Sequence, residues 1–145
     1  MPATFRAAVE HVNHTTSKVT IRSHTMLVDR GIAKGGFDLG PAGGEYMLTA
    51  LGGCFTSHLL AAIRAREADV TSVRVDVSGT LDGAPERFTA FTLDVSAASP
   101  DAELARKLVS IAGRACQVVT TLRQSADVTI RCNGTPIDLA AVAAA

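Results

Sequence analysis

A chain of 145 residues is long enough to bury one hydrophobic core and reads as a single domain over 1–145. Its 14 basic and 14 acidic side chains cancel, which excludes the positive field that nucleic acid or an anionic membrane surface requires. Trp is absent and aromatic residues make up only 4%, so stacking platforms for single-stranded nucleic acid are excluded as well.

Residues 4–12 and 18–28 are rich in Val, Ile, Thr and Phe and are separated by Asn13-His14-Thr15-Thr16-Ser17, the pattern of a strand hairpin. Alternation in the second run puts Arg22 and His24 on one face. Gly31, Gly35, Gly36, Gly40, Gly43 and Gly44, with Pro41, then mark a loop that turns sharply or approaches something closely. Residues 43–66, GGEYMLTALGGCFTSHLLAAIRAR, follow as a helix. Tyr46, Met47, Leu48, Leu51, Phe55, Leu59, Leu60 and Ile63 leave almost no polar stripe before Arg64. A helix apolar on nearly every side needs cover on two sides. One sheet covers one, and in a domain of this size a second subunit is the economical source of the other, so a homodimer is expected.

Val73, Val75 and Val77 alternate with polar residues, as do Phe91, Leu93 and Val95, giving two half-buried strands joined at Asp82-Gly83-Ala84-Pro85. Ser99-Pro100-Asp101 opens a second helix, with Ser as cap and Pro in the first position. Its apolar stripe is Leu104, Leu108, Ile111, Ala115, Val118, Val119 and Leu122, and Cys116 falls about 120° from the middle of that stripe, on a flank shared with Ala105 and Ala112. That flank is not an ordinary core position. A last strand carries Val128, Ile130 and Cys132, and the closing AAVAAA carries no chemistry. The order predicts an α+β fold with antiparallel sheets around a long buried central helix.

The N-terminal MPATFRAAVEHV has neither a basic n-region nor an apolar h-region, and the longest apolar run reads as far short of the ~20 residues of a membrane span. A soluble, cytoplasmic protein is expected. Cys54, Cys116 and Cys132 are too few and too widely spaced for a disulfide framework or a CxxC zinc site. In a reducing compartment such thiols serve packing or reactivity. Cys54 follows Gly52-Gly53; if the helix restarts there, the thiol gains part of an N-terminal dipole. His58 is four residues on, about 40° around the same face, where an imidazole can take the thiol proton; that pair also suits a nucleophile and base for acyl transfer. A histidine at the helix surface, bonded to backbone or water, is the plainer alternative. Glu45 is nine residues before Cys54, about 180° around a straight helix, so it serves the thiol only through a bend, a pre-helical position or a partner subunit. A zinc reading would combine Cys54, His58, Cys116 and Cys132, which lack the usual loop spacing; no metal and no cofactor are expected.

DLGPAGGEYMLTALGGC and, later, RACQVVTTL carry a resemblance to the OsmC/Ohr family of peroxide-reducing proteins, extending in element order over nearly the whole chain. The resemblance implies an intertwined α+β homodimer and a two-cysteine peroxidase active in oxidative or osmotic stress defence. Cys54 would be the peroxidatic thiolate that becomes a sulfenic acid, and Cys116 would resolve it as a disulfide. Organic hydroperoxides are the implied substrates, with hydrogen peroxide as a further one, and a dithiol or lipoylated protein is the implied reductant. Glu45 matches the acidic residue that orients an arginine over the thiolate. That arginine usually comes from the N-terminal hairpin turn, which here has none; Arg22 and Arg30 are the nearby candidates and Arg30 is the one assigned. Gln117 stands where the family's second motif has Pro, and the Glu45 to Cys54 spacing resembles the OsmC-related branch. A non-catalytic redox-responsive or ligand-binding dimer is the alternative outside enzymology.

Overall fold

The computed structural model describes residues 1–140; the end of the Ala-rich tail lies outside them. The elements run β1 (Ala8–His11), β2 (Ser17–Ile21), β3 (His24–Val28), α1 (Gly43–Ala65), β4 (Thr71–Asp82), β5 (Arg87–Ala98), α2 (Ala102–Ala115), α3 (Gln117–Leu122), β6 (Asp127–Cys132) and β7 (Thr135–Ile137). They fall into two compact units, Met1–Met47 and the chain from Leu48 onward.

The first unit is an antiparallel sheet in the order β1-β2-β3. Asn13 closes the first turn, its side-chain oxygen accepting from the backbone N–H of Thr15 (3.0 Å) and Thr16 (2.9 Å), the local bonding that makes Asn a turn residue. The run 18–28, read above as one strand, is two. Arg22 adopts a left-handed φ of 54° and Ile21 pairs with His24, so Arg22 sits in a tight turn and not on a strand face with His24.

After β3 the loop is organised by one carboxylate. Asp29 is 2% exposed and accepts from the Thr16 hydroxyl (2.8 Å) and from the backbone N–H of Arg30 (2.7 Å), Leu39 (3.2 Å) and Phe37 (3.3 Å). The Asp29 N–H in turn donates to the Pro41 carbonyl (3.2 Å). Gly36 is required here, because a Cβ would overlap the Arg30 carbonyl. Burial pushes the Asp29 carboxyl up, but the Thr16 and Thr15 hydroxyls and the Leu39 and Arg30 N–H groups outweigh it and hold the pKa at about 2, against 3.8 ordinarily. A carboxylate whose pKa is lowered by folding contributes stability that is whole above 3.8 and is lost as pH falls through about 2. Asp29→Asn is therefore expected to lower the thermal midpoint clearly at neutral pH and much less near pH 2. Thermal melts followed by circular dichroism test this, and an equal loss at both pH values would contradict it.

The second unit is a four-stranded sheet in the order β4-β5-β6-β7. The pairings Val77 with Leu93, Leu93 with Ile130 and Ile130 with Ile137 lay a row of apolar side chains across one face. Arg74, Asp76, Ser78, Asp94 and Ser96 occupy the other and face solvent. The alternation predicted for β4, β5 and β6 is what builds this one-sided sheet. One pairing differs from the expectation of antiparallel sheets: β5 and β6 run parallel, because the helical stretch between them is a crossover.

Both long helices lie on the apolar face and approach it through glycine. A Cβ on Gly52 of α1 would stand 2.7 Å from the Val77 methyl, and one on Gly113 of α2 would stand 2.9 Å from Ile130. Leu51, Phe55, Leu59 and Ala62 form the buried face of α1, each large side chain contributing about 1.5–3 kcal/mol of burial. The opposite face, Ala50, Gly53, Ser57, Leu60 and Ala61, is exposed, so within one chain the central helix is buried along one side only. With 23 residues and a mean hydropathy of 1.4 over its most apolar stretch, α1 is long and apolar enough by length and composition to cross a membrane. That corrects the reading of its apolar run as far too short; core helices of soluble proteins share the property.

Helix α2 departs from prediction in two ways. Its N-cap is Asp101, accepting from the N–H of Glu103 and Leu104 (both 3.1 Å), with Ser99 two residues earlier bonding the Asp101 backbone. Its buried face is Ala105, Leu108, Val109, Ala112 and Gly113, so the flank set aside as not an ordinary core position is the core. Small residues win that face because they let the helix backbone approach β6.

Candidate functional site

Cys54 is the twelfth residue of an α1 that runs unbroken from Gly43 to Ala65. The helix does not restart at Gly52-Gly53, so no N-terminal dipole acts on the thiol. Gly52 is explained by the approach to β4, while Gly53 faces open space. Cys54 is half-buried and its thiol donates to Gln117 Oε1 at 3.4 Å. His58, one turn further along α1, places Nε2 2.9 Å from the same oxygen. The i, i+4 spacing thus brings cysteine and histidine to one place as predicted, and Gln117 bridges them.

Cys116 is fully buried and occupies the break between α2 and α3. Its extended backbone, φ −73° and ψ 113°, ends one helix and begins the next, and its sulfur caps α3 by accepting from the Val119 N–H at 3.4 Å. The single helix expected through this segment is therefore two, and the cysteine is placed by the break and not by helical phase. Burial pushes the Cys116 thiol up to about 11; the adjacent Cys54 thiol adds to the rise, against the Val119 and Val118 N–H groups that lower it. The Cys54 sulfur touches Gln117, the residue next to Cys116, and both thiols are free.

Cys132 is a buried β6 residue paired with Val95 and Thr135. Burial raises its pKa, and Arg106 opposes that rise; it packs the core. Glu45 lies in the first turn of α1, inside the helix and not before it. Its carboxylate accepts from the Ala42 N–H at 2.9 Å, half of a capping box, which gives it a structural duty at the helix start. Arg30 belongs to the Asp29 loop and lines a cavity of about 520 Å³ with His11, His14 and Lys34. Among the described residues, no three His, Cys, Asp or Glu side chains are grouped to hold a metal ion.

Sequence reasoning named Gln117 only as a departure from a motif and did not single out Asp29. For Gln117 the available signal was its position beside Cys116, which lets a long amide reach across to the cysteine of another helix. For Asp29 it was a carboxylate at the mouth of a glycine-rich loop, where backbone N–H groups lie open.

The family model for OsmC-like proteins matches residues 35–131, a span that holds Glu45, Cys54, Gln117 and Cys116 and leaves out Arg30. Among solved structures, the chain is similar to an OsmC-like protein of Mycoplasma pneumoniae, with 13% identity, a TM-score of 0.80, and 91% of this chain and 97% of that one covered. It is similar to an organic hydroperoxide resistance protein of Legionella pneumophila, with 16% identity, a TM-score of 0.71, and coverage of 90% and 98%. An organic hydroperoxide resistance protein of Elizabethkingia anophelis gives 15%, 0.71, and 91% and 98%. No curated protein matches. At these identities the structures establish a shared fold, and with two thirds of the sequence matched by the family model, the chain belongs to the OsmC-like protein family.

Proposed function

We propose that this protein is a cysteine-based peroxidase that reduces organic hydroperoxides. The observation that carries the reading is the contact of the half-buried Cys54 thiol on α1 with Gln117, the residue that follows the fully buried Cys116 at the α2–α3 break. The Cys54 thiolate attacks the terminal oxygen of the hydroperoxide, the O–O bond breaks, and the alkoxide leaves and takes a proton to become the alcohol. Cys54 is left as a sulfenic acid. The Cys116 sulfur then attacks the Cys54 sulfur, water leaves, and a disulfide forms. An external dithiol returns both to thiols by exchange. With its pKa near 11, Cys116 stays protonated and unreactive toward peroxide at neutral pH until a sulfenic sulfur forms beside it.

Resemblance to the family adds Glu45 and Arg30 as the carboxylate and guanidinium serving the thiolate, a lipoylated protein as one form of the dithiol, stress defence as the setting and the cytoplasm as its location. A homodimer is part of the same reading, supported by the exposed apolar face of α1, where Leu60 is 47% exposed beside Ala50, Gly53 and Ala61. Sedimentation returning only a monomer at micromolar concentration would remove the dimer. The function itself is tested by following cumene hydroperoxide in the presence of a dithiol. Sustained consumption above the dithiol blank is expected, and a rate equal to the blank would sink the proposal.

A further inference from the structure

Gln117 is the first residue of α3, and its exposed side chain reaches to α1, where one amide oxygen meets both the Cys54 sulfur (3.4 Å) and His58 Nε2 (2.9 Å). An amide oxygen has two lone pairs, so it can accept an S–H and an N–H together. That arrangement suits the thiol. It does not suit the thiolate, which would face an oxygen with no hydrogen to offer. A half-turn of the amide puts the NH₂ group in the same place, and its two hydrogens then serve the same two neighbours, one to the thiolate and one to His58 Nε2 in its Nδ1–H tautomer. The histidine anchors either orientation because its Nε2 is a donor in one tautomer and an acceptor in the other.

We propose that Gln117 is a positioning residue for Cys54, holding the thiol through Oε1 and the thiolate through Nε2–H, with His58 as the anchor that keeps the amide at the sulfur. A hydrogen bond to a charged group is roughly twice as strong as one between neutral groups, so the bond to the thiolate outweighs the bond to the thiol and the amide raises the fraction of Cys54 that is nucleophilic. The proposal rests on the peroxidase reading only for the use made of that thiolate.

The test is the pH dependence of Cys54 alkylation by iodoacetamide, read on the Cys54 peptide by mass spectrometry in the wild type, Gln117→Leu, Gln117→Glu and His58→Phe. Leucine keeps the bulk and removes both contacts, and is expected to raise the midpoint by about one pH unit, a roughly tenfold slower reaction at neutral pH. Glutamate, an acceptor that adds negative charge beside the sulfur, is expected to raise it further. His58→Phe, which frees the amide from its anchor, is expected to fall between wild type and leucine. A leucine midpoint equal to the wild type, or a glutamate midpoint below leucine, would overturn the proposal. Alkylation involves no peroxide, so the two readings fail separately. A wild type that shows the ordered midpoints but consumes no hydroperoxide loses the peroxidase assignment and keeps this one; active wild type with identical midpoints loses this one alone.

Discussion

Cys54→Ser is expected to reduce cumene hydroperoxide consumption to the blank rate, a loss of about a thousandfold or more, the scale reached when the nucleophile of a catalytic unit is removed. The reaction needs a polarisable anion able to attack a peroxide oxygen. A thiol supplies a fraction of thiolate near neutrality, whereas a serine hydroxyl has no accessible anion there. The fold is expected to tolerate the change. Cys54 is half-buried on a helix held by Leu51, Phe55 and Leu59, and a serine hydroxyl can still donate to Gln117 Oε1. Its thermal midpoint should therefore stay close to wild type, which separates lost chemistry from lost structure. A variant that keeps the wild-type rate would show that Cys54 is not the reacting group.

Cys116→Ser is expected to leave the first reaction with peroxide intact and to slow turnover. With no thiol beside it, the Cys54 sulfenic acid persists, and excess peroxide carries it to sulfinic acid, which a dithiol does not reverse. The predicted record is one oxygen atom gained on Cys54, then two, with the steady-state rate falling at least about tenfold as the sulfenic acid turns to slower routes. The stability cost is partly offset. Burying a hydroxyl in place of a thiol costs about 1–3 kcal/mol where it finds no partner, but residue 116 caps α3 through the Val119 N–H, and serine is among the best N-caps. A variant that turns over at the wild-type rate would assign resolution to another thiol.

Much of the sheet was legible because its signal is local. Val73, Val75 and Val77 alternate in the sequence as they do in β4, and Phe91, Leu93 and Val95 are buried at every second position of β5. The long apolar helix was legible for the same reason. What escaped was set by approach and by backbone bonding. Ala105, Ala112 and Gly113 carry little hydrophobic signal, yet their small size lets α2 reach β6. The break at Cys116 has neither Gly nor Pro beside it, since Gln117 occupies the position where the family motif has Pro. Asp29 is satisfied mainly by main-chain N–H groups, which no side-chain pattern records.

The candidate site divides along the same line. Cys54 and His58 were predictable neighbours because helical spacing fixes their angle, and the family motif paired Cys54 with Cys116. The role of Glu45 as a cap follows from its place three residues after Ala42, a spacing visible in the sequence once the helix start is known. Gln117 was visible only as an unusual residue, because its significance depends on a contact between helices 63 residues apart along the chain.

Intact-mass measurement of the fully reduced protein after one equivalent of cumene hydroperoxide, followed by digestion without reductant, tests the central claim most directly. The predicted result is a loss of two hydrogens that maps to a Cys54–Cys116 cross-link, with Cys132 still a free thiol. An unchanged mass, or a disulfide that excludes Cys54, would contradict it.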